Sequence, residues 1–582
     1  MSNRSDKYKL IFLFLIALGI RVYKLNVFPI GITHDELNYI MSAKSLFLTG
    51  GFIPQTAPAI FPTDMTTFNV VIAEIPAILI APFIGILEFS LFSSRFIGAV
   101  FSSLTVVVLY LLVREITKNR IMALFSALVL TINPWGILMG RTIFEANFYI
   151  LFFLLGLLVL LRSSGWKIFY SFPLYLLGFL SYTGGQVVFY LFIVITLIYK
   201  HFYNKGKIIT PLVIYAIIIS LVFGGYLYLS LRNQSMLSRG SELFLPSSDT
   251  ISQKVNEERT ISVPSEYNHL FINKATVYLR GFIEKYIDAF SPTTLFLNGE
   301  YRAAFSYQKH GTFYLTDFIF IIIGICFLFQ RYRKAWIFFI AIVAIAPLTA
   351  GFSIVEHSYS QRAGLIYPVF VIFTAAGISF IYSGIVNIRL QKIFISIIAV
   401  IYVAFLINLF HLYFFRFPVY ASDGWFYHDR LLSRYVQLTL EKHPEIEIAV
   451  YSSEPKITFE EYLYFTNGYR RETAKLINRN LENGLYAYGK VSFSSICPDG
   501  NEDKEGVVEI YDPLLGCDIN KNEMLRITRY YDVLEMYLIK NDLICEKVKL
   551  NNYVYPEAYQ DFDVSHQFDD LFCRNWITKL NN

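Results

Sequence analysis

Long apolar runs alternate with short basic loops over the first 412 residues, and then the rhythm stops. A helix that crosses a bilayer needs about 20 mostly apolar residues. The runs at 8–25, 94–113, 121–138, 147–162, 168–182, 186–200, 208–231, 313–330, 335–350, 362–383 and 393–412 therefore predict eleven spans. Segment 70–90 is also apolar, but it carries Glu74, Pro76, Pro82 and Glu88. Charge placement decides its status, because Lys and Arg collect in cytoplasmic loops. If 70–90 does not span, Arg4/Lys7/Lys9, Arg114/Lys118/Arg120, Arg162/Lys167, Lys200/Lys205/Lys207, Arg331/Arg333/Lys334 and Arg389/Lys392 all fall on one side. The expected topology has the N-terminus in the cytoplasm, 70–90 as a helix on or dipping into the outer surface, and everything after 412 outside. The first run reads as a true span rather than a cleavable signal, since Arg21 and Lys24 follow it directly without a small-residue cleavage site.

Beyond 412 the period changes. LLSRYVQLTLEKHP (431–444) reads as a helix and IEIAVYSS (446–453) as a strand after it. The expected organisation is a polytopic α-helical membrane domain at 1–412, with long outer loops at 26–93 and 232–312. A small extracytoplasmic α/β domain at 413–582 follows. Within the second loop, the polar run SSDTISQKVNEER (247–259) reads as mobile.

Composition agrees with a multi-pass membrane protein. Of 582 residues, 55% are hydrophobic and only 16% charged, with 54 Phe and 42 Tyr. That excludes a disordered chain, a disulfide miniprotein and a typical soluble enzyme. A net charge of +5 on so long a chain gives no argument for nucleic acid. The front part is net basic and the tail net acidic. Cys326 lies in an apolar run, whereas Cys497, Cys517, Cys545 and Cys573 lie in the tail. Four cysteines there fit two disulfides if the tail faces an oxidising compartment, with three pairings open, or else four reduced thiols.

The polar residues expected at the outer face carry the candidate chemistry. Thr33-His34-Asp35-Glu36 follows the first span. Carboxylates at a membrane surface are costly unless solvated or used. A carboxylate there can take a proton from an acceptor hydroxyl as general base, and Asp35 is the candidate with Glu36 beside it. The competing reading is that Asp35 is the N-cap of a helix Glu36–Leu48. Arg141 and Glu145 follow Pro134-Trp135 at an outer mouth. Arg141 can hold a phosphate or carboxylate, or pair with Glu145 four residues on as a structural tie. Glu300 and Arg302, then His310, precede the run at 313–330, and His357 and Gln361-Arg362 lie at the head of the run at 362–383. Arginine at such a helix end also snorkels to headgroups. No phosphate loop, dinucleotide fingerprint, H-E-x-x-H or zinc-finger cysteine pair occurs. No cofactor or fixed metal-ligand set is readable, although His34, Asp35 and Glu36 leave a divalent cation open.

THDELNYIMSAKSL (33–46), SSRFIGAVFSSLTVVVLYLLVREI (93–116), INPWGILMGRTIFEANF (132–148) and SQRAGLIYPVF (360–370) together resemble the GT-C membrane glycosyltransferases. The nearest pattern is that of the protein O-mannosyltransferase and lipid A aminoarabinose transferase group. The tail is similar to the extracytoplasmic α/β appendage of some bacterial members. The resemblance implies a polyprenyl-phosphate sugar donor and transfer, usually with inversion, to a hydroxyl of a protein, lipid or glycan on the outer face of the plasma membrane. It also implies that Asp35 matches the family's essential acid, Glu36 its neighbour, and Arg141 with Glu145 the second outer-loop pair. One departure stands out. Many bacterial members carry a basic Lys-Pro-Pro-like motif late in the first outer loop, where this chain has PAIFPTDMTTFN (58–69) with Asp64 and no lysine. Arg141, Arg302 or Arg362 would then contact the donor phosphate. Competing readings are a lipid-linked-substrate transporter or flippase, an envelope scaffold, and a ligase that moves a whole oligosaccharide. Nearly all-apolar runs such as 147–162 and 393–412 argue against an aqueous transport path.

Overall fold

The computed structural model describes residues 4–58, 70–203, 209–232, 248–353, 359–498, 506–521, 524–529, 534–550 and 559–579. Among these residues six helices are long and apolar enough to cross a membrane. They are Leu91–Thr117, Thr183–Tyr203, Ile209–Tyr226, Arg333–Phe352, Ile366–Gly384 and Ile388–Tyr420. The other expected spans are shorter, interrupted or flanked by charge. The run at 121–138 becomes two helices, Arg120–Ile132 and Pro134–Met139. Pro134 cannot continue the first helix but suits the opening turn of the second, where Asn133 accepts a hydrogen bond from the Gly136 N–H.

Segment 70–90 holds a 13-residue helix, Glu74–Ile86. At 1.5 Å per residue it is about 20 Å long, short of the roughly 30 Å hydrocarbon core. Ala77, Ile80, Ala81 and Ile84 are buried, while Ile78, Phe83 and Ile86 are exposed. Where Leu315–Arg331 crosses Ile366–Gly384, the two backbones nearly touch. A Cβ on Gly324 would lie 1.8 Å from the Phe373 carbonyl oxygen, and one on Gly377 would lie 2.2 Å from that of Phe320. Only glycine permits this approach, the usual device of helix pairs that lack a hydrophobic drive between them.

The polar run at 247–259, expected to be mobile, is instead mostly helix, Ser248–Thr260. Few of its residues are apolar, but Val255 is buried and polar contacts hold the helix. Arg259 donates to the Ile272 carbonyl, and Glu258 pairs with Arg280 at 2.9 Å. Arg280 belongs to the following helix, Lys274–Asp288.

The tail contains helix Tyr427–Lys442 and strand Glu447–Tyr451, in the places the sequence pattern indicates. That strand is central in a seven-stranded mixed sheet. It pairs in parallel with Val491–Ser494 and Val507–Tyr511, and antiparallel strands extend both edges. Helices Pro455–Phe465 and Ala474–Glu482 connect the first two parallel strands. The cysteines pair as Cys497–Cys517 and Cys545–Cys573. The tail packs on the segment between the first helix and helix Leu91–Thr117 and on the start of that helix. Arg430 donates to the Ile30 carbonyl at 2.7 Å, Asn467 accepts from the Phe89 N–H at 3.2 Å, and the Ser94 and Tyr464 hydroxyls meet at 3.0 Å.

Candidate functional site

The site grows from the N-terminus of helix His34–Thr49. Thr33 is its N-cap and accepts from the Glu36 N–H at 3.2 Å, while the Glu36 carboxylate accepts in return from the Thr33 N–H. This reciprocal capping box satisfies two otherwise orphaned donors. It also sets the rotation of the first turn, with Asp35 exposed and Glu36 buried. Glu36 is held on its far side by Arg95, whose Nε and Nη2 donate to Oε1 and Oε2 at 3.0 and 2.8 Å. Arg95 also donates to the carbonyls of Pro29 and Gly31, and the Ile143 N–H donates to Glu36 Oε1 at 3.2 Å. A fully buried carboxylate with this many partners is fixed in place. Asp35, by contrast, remains accessible at the electropositive end of the helix.

One turn further on, Tyr39 donates to Glu145 Oε1 at 2.7 Å and accepts from the Ala73 N–H. Gln361 donates to the other Glu145 oxygen. Burial beside Glu145 raises the Tyr39 pKa well above its ordinary value, so the phenol stays a donor. Three segments far apart in sequence are thus joined at one carboxylate. Tyr149 donates to the Gln361 carbonyl and the Trp135 indole to that of Ser360, which ties segment 359–367 to the loop around 140.

Arg141 lies elsewhere than the sequence spacing indicates. The chain turns between Pro134–Met139 and Ala146–Arg162, so Arg141 and Glu145 share no helix face. Arg141 is buried and donates to the Tyr413 hydroxyl and to the carbonyls of Arg21, Tyr23 and Phe28 at 2.7–3.0 Å. All three of its nitrogens are occupied by the protein. The expected Arg141–Glu145 pair is replaced by a clamp on the end of the first helix.

Glu300 is buried, accepts from the Ser360 N–H, and has its pKa pushed up to about 7 by burial, against the pull of Ser360 and Arg362. Arg302 is exposed and Arg362 is partly exposed. His310 is partly buried, with Nδ1 2.7 Å from the Gly311 carbonyl, and burial lowers its pKa. His34 is taken up by the tail. It stacks on Phe426 with ring centroids 3.6 Å apart and approaches Glu454 and Glu461. Desolvation, with His428 nearby, lowers its pKa to about 4. His34 with Asp429 and Glu461 forms the one group of three potential metal ligands among the described residues. Asp64 and His357 lie outside the described residues.

Sequence reasoning passed over Tyr39 and Arg95. The T-x-x-E spacing at 33–36 signals the capping box, and Arg95 is the first charge along a 27-residue, mostly apolar helix. Nothing local marks Tyr39.

No family model matches the sequence, and no curated protein does. Two similar solved structures are both of ArnT from Cupriavidus metallidurans. In the apo state it is 12% identical with a TM-score of 0.42, over 92% of this chain and 98% of that one. Bound to undecaprenyl phosphate it is 13% identical with a TM-score of 0.39, over 91% and 96%.

Proposed function

We propose that this chain is a membrane glycosyltransferase that moves a sugar from a polyprenyl-phosphate donor to an acceptor hydroxyl on the extracytoplasmic face. One observation carries the reading. Asp35 stands exposed on a helix turn whose orientation is locked by the buried Glu36–Arg95 pair, beside the convergence of three segments at Glu145. An accessible carboxylate on a rigid mount suits a general base.

In this reading Asp35 takes the acceptor's proton as its oxygen attacks the anomeric carbon. The bond from that carbon to the phosphate oxygen breaks, and polyprenyl phosphate leaves with the electron pair. The sugar passes through an oxocarbenium-like state and inverts. Glu36 acts through position rather than by contact with substrate. Tyr39, Glu145 and Gln361 border the acceptor side. With the Arg141 guanidinium occupied by carbonyls, Arg302 and Arg362 are assigned to the departing phosphate, where fixed cations stabilise the growing charge. Eleven spans, a cytoplasmic N-terminus and an outer tail complete the reading. The two tail disulfides support an oxidising location for it.

The test is release of polyprenyl phosphate by detergent-purified protein given mannose, glucose and aminoarabinose forms of the donor, alongside Asp35→Asn. Release by the wild type alone supports the assignment. Equal release by a folded Asp35→Asn variant removes Asp35 from the chemistry, and failure of the wild type to bind any donor removes the reading.

A further inference from the structure

The tail brings two buried carboxylates against His34, where the first outer loop would otherwise end in solvent. Glu461 is fully buried, and neither of its oxygens has a hydrogen-bond partner. Asp429 is also buried. One of its oxygens accepts from the Tyr537 hydroxyl, and the other lies 3.3 Å from His428 Nε2. His34 Nε2 is 3.9 Å from Glu461 Oε1. One ligand atom from each of His34, Asp429 and Glu461 lies within 4.8 Å of the other two. A buried carboxylate with no donor is costly, and a second carboxylate facing it makes the arrangement worse. Such a set is completed by a proton shared between the acids or by a cation between them.

Three features favour the cation. Glu461 contributes an oxygen to the cluster and neither of its oxygens has a hydrogen-bond partner, so the missing partner has a defined place. One nitrogen with two carboxylate oxygens is a donor set for a borderline divalent ion, with a position left for water. The second His34 nitrogen, Nδ1, lies 3.7 Å from Glu454 Oε2. A carboxylate behind a ligating imidazole is the usual outer partner, fixing the tautomer and making the ring a better ligand. The His34 ring is further held by its stack on Phe426, a non-glycine residue at φ 49°. Backbone in that region persists only where its surroundings hold it. Ligand atoms about 2.0–2.2 Å from a tetrahedral ion sit roughly 3.3–3.6 Å apart, so closure asks for about 1 Å of side-chain movement.

We propose that His34, Asp429 and Glu461 form a divalent-cation site, best matched to Zn²⁺, that fastens the tail to the loop bearing Asp35. The site joins His34 to positions roughly 400 residues further along the chain and adjoins Asp35 by one peptide bond. The proposal stands independently of sugar transfer.

The test uses full-length purified protein, stripped with a chelator and titrated with ZnCl₂ by calorimetry, with thermal unfolding followed in parallel. Glu461→Gln is the informative variant, because it keeps the shape, removes a ligand and relieves the buried charge. The expected result is one equivalent bound per wild-type chain, an unfolding temperature raised by several degrees, and at least tenfold weaker binding by Glu461→Gln. His34→Gln should weaken binding similarly. Zn²⁺ binding of equal strength and stoichiometry in wild type and Glu461→Gln would assign the ion to other surface histidines and overturn the proposal. So would absence of binding by the wild type. A Glu461→Gln variant that unfolds at a higher temperature without metal, yet gains less from Zn²⁺, supports it.

Discussion

Glu36 and Arg95, 59 residues apart, form a two-pronged ion pair with both side chains fully buried. Its N–O distances of 3.0 and 2.8 Å are those of a charge-assisted fork. The pair separates the roles of two adjacent acids. Glu36 is held by Arg95, Thr33 and Ile143 and is buried, whereas Asp35 is exposed. Glu36→Gln should therefore destabilise the protein by about 3–5 kcal/mol, because it leaves a buried guanidinium without its counter-ion. Unfolding in mild detergent measures that loss. An unchanged midpoint would mean that the pair is dispensable.

Asp35→Asn should behave in the opposite way. Its exposure predicts almost no change in stability, but transfer should fall by about 10²-fold or more if Asp35 is the base. Comparing the two variants by both assays separates positioning from chemistry.

Arg141 provides a second contrast. A phosphate-binding arginine removed by mutation weakens donor binding and leaves the fold intact. The clamp seen here predicts that Arg141→Ala loses about 3–5 kcal/mol of stability, as buried carbonyls at Arg21, Tyr23 and Phe28 lose a charged donor. Thermal unfolding with and without donor checks this. A variant of native stability with weakened donor binding would return Arg141 to the phosphate.

Glu300 should make stability depend on pH. Burial raises its pKa from 4.5 to about 7, so the folded state holds this proton more tightly than the unfolded chain. Its contribution is fully present below pH 4.5 and is lost as pH rises through 7. The loss is on the order of 3 kcal/mol from the linkage of 1.36 kcal/mol per pKa unit. Glu300→Gln removes the titration. Wild type should lose stability relative to the variant between pH 4.5 and 7.5, and parallel pH profiles would refute the assignment.

Tyr39→Phe removes one donor from Glu145 and one acceptor from Ala73. The stability change should be about 1 kcal/mol. If Glu145 borders the acceptor, kcat/KM should fall further than stability does. A fall no greater than that of an unrelated 1 kcal/mol variant would make the contact purely structural.

The sequence by itself determined the features controlled by neighbours along the chain. Apolar runs of sufficient length mark the six long helices. Thr33 and Glu36, three apart, determine where helix His34–Thr49 begins. Pro134 breaks a run that hydropathy alone reads as continuous. The alternation after 412 marks the helix and strand of the tail. These outcomes depend on backbone donors, proline geometry and apolar period, which act within one or two turns. Only the tertiary structure decided which partner each charge takes. Arg141 and Glu145 are four apart, yet the turn between them sends one to Tyr413 and the other to Tyr39 and Gln361. His34 neighbours Asp35, yet it meets Phe426, Glu454 and Glu461 of the tail. A buried charge takes whichever partner the packing brings within about 4 Å, and packing joins residues that the sequence keeps hundreds of positions apart.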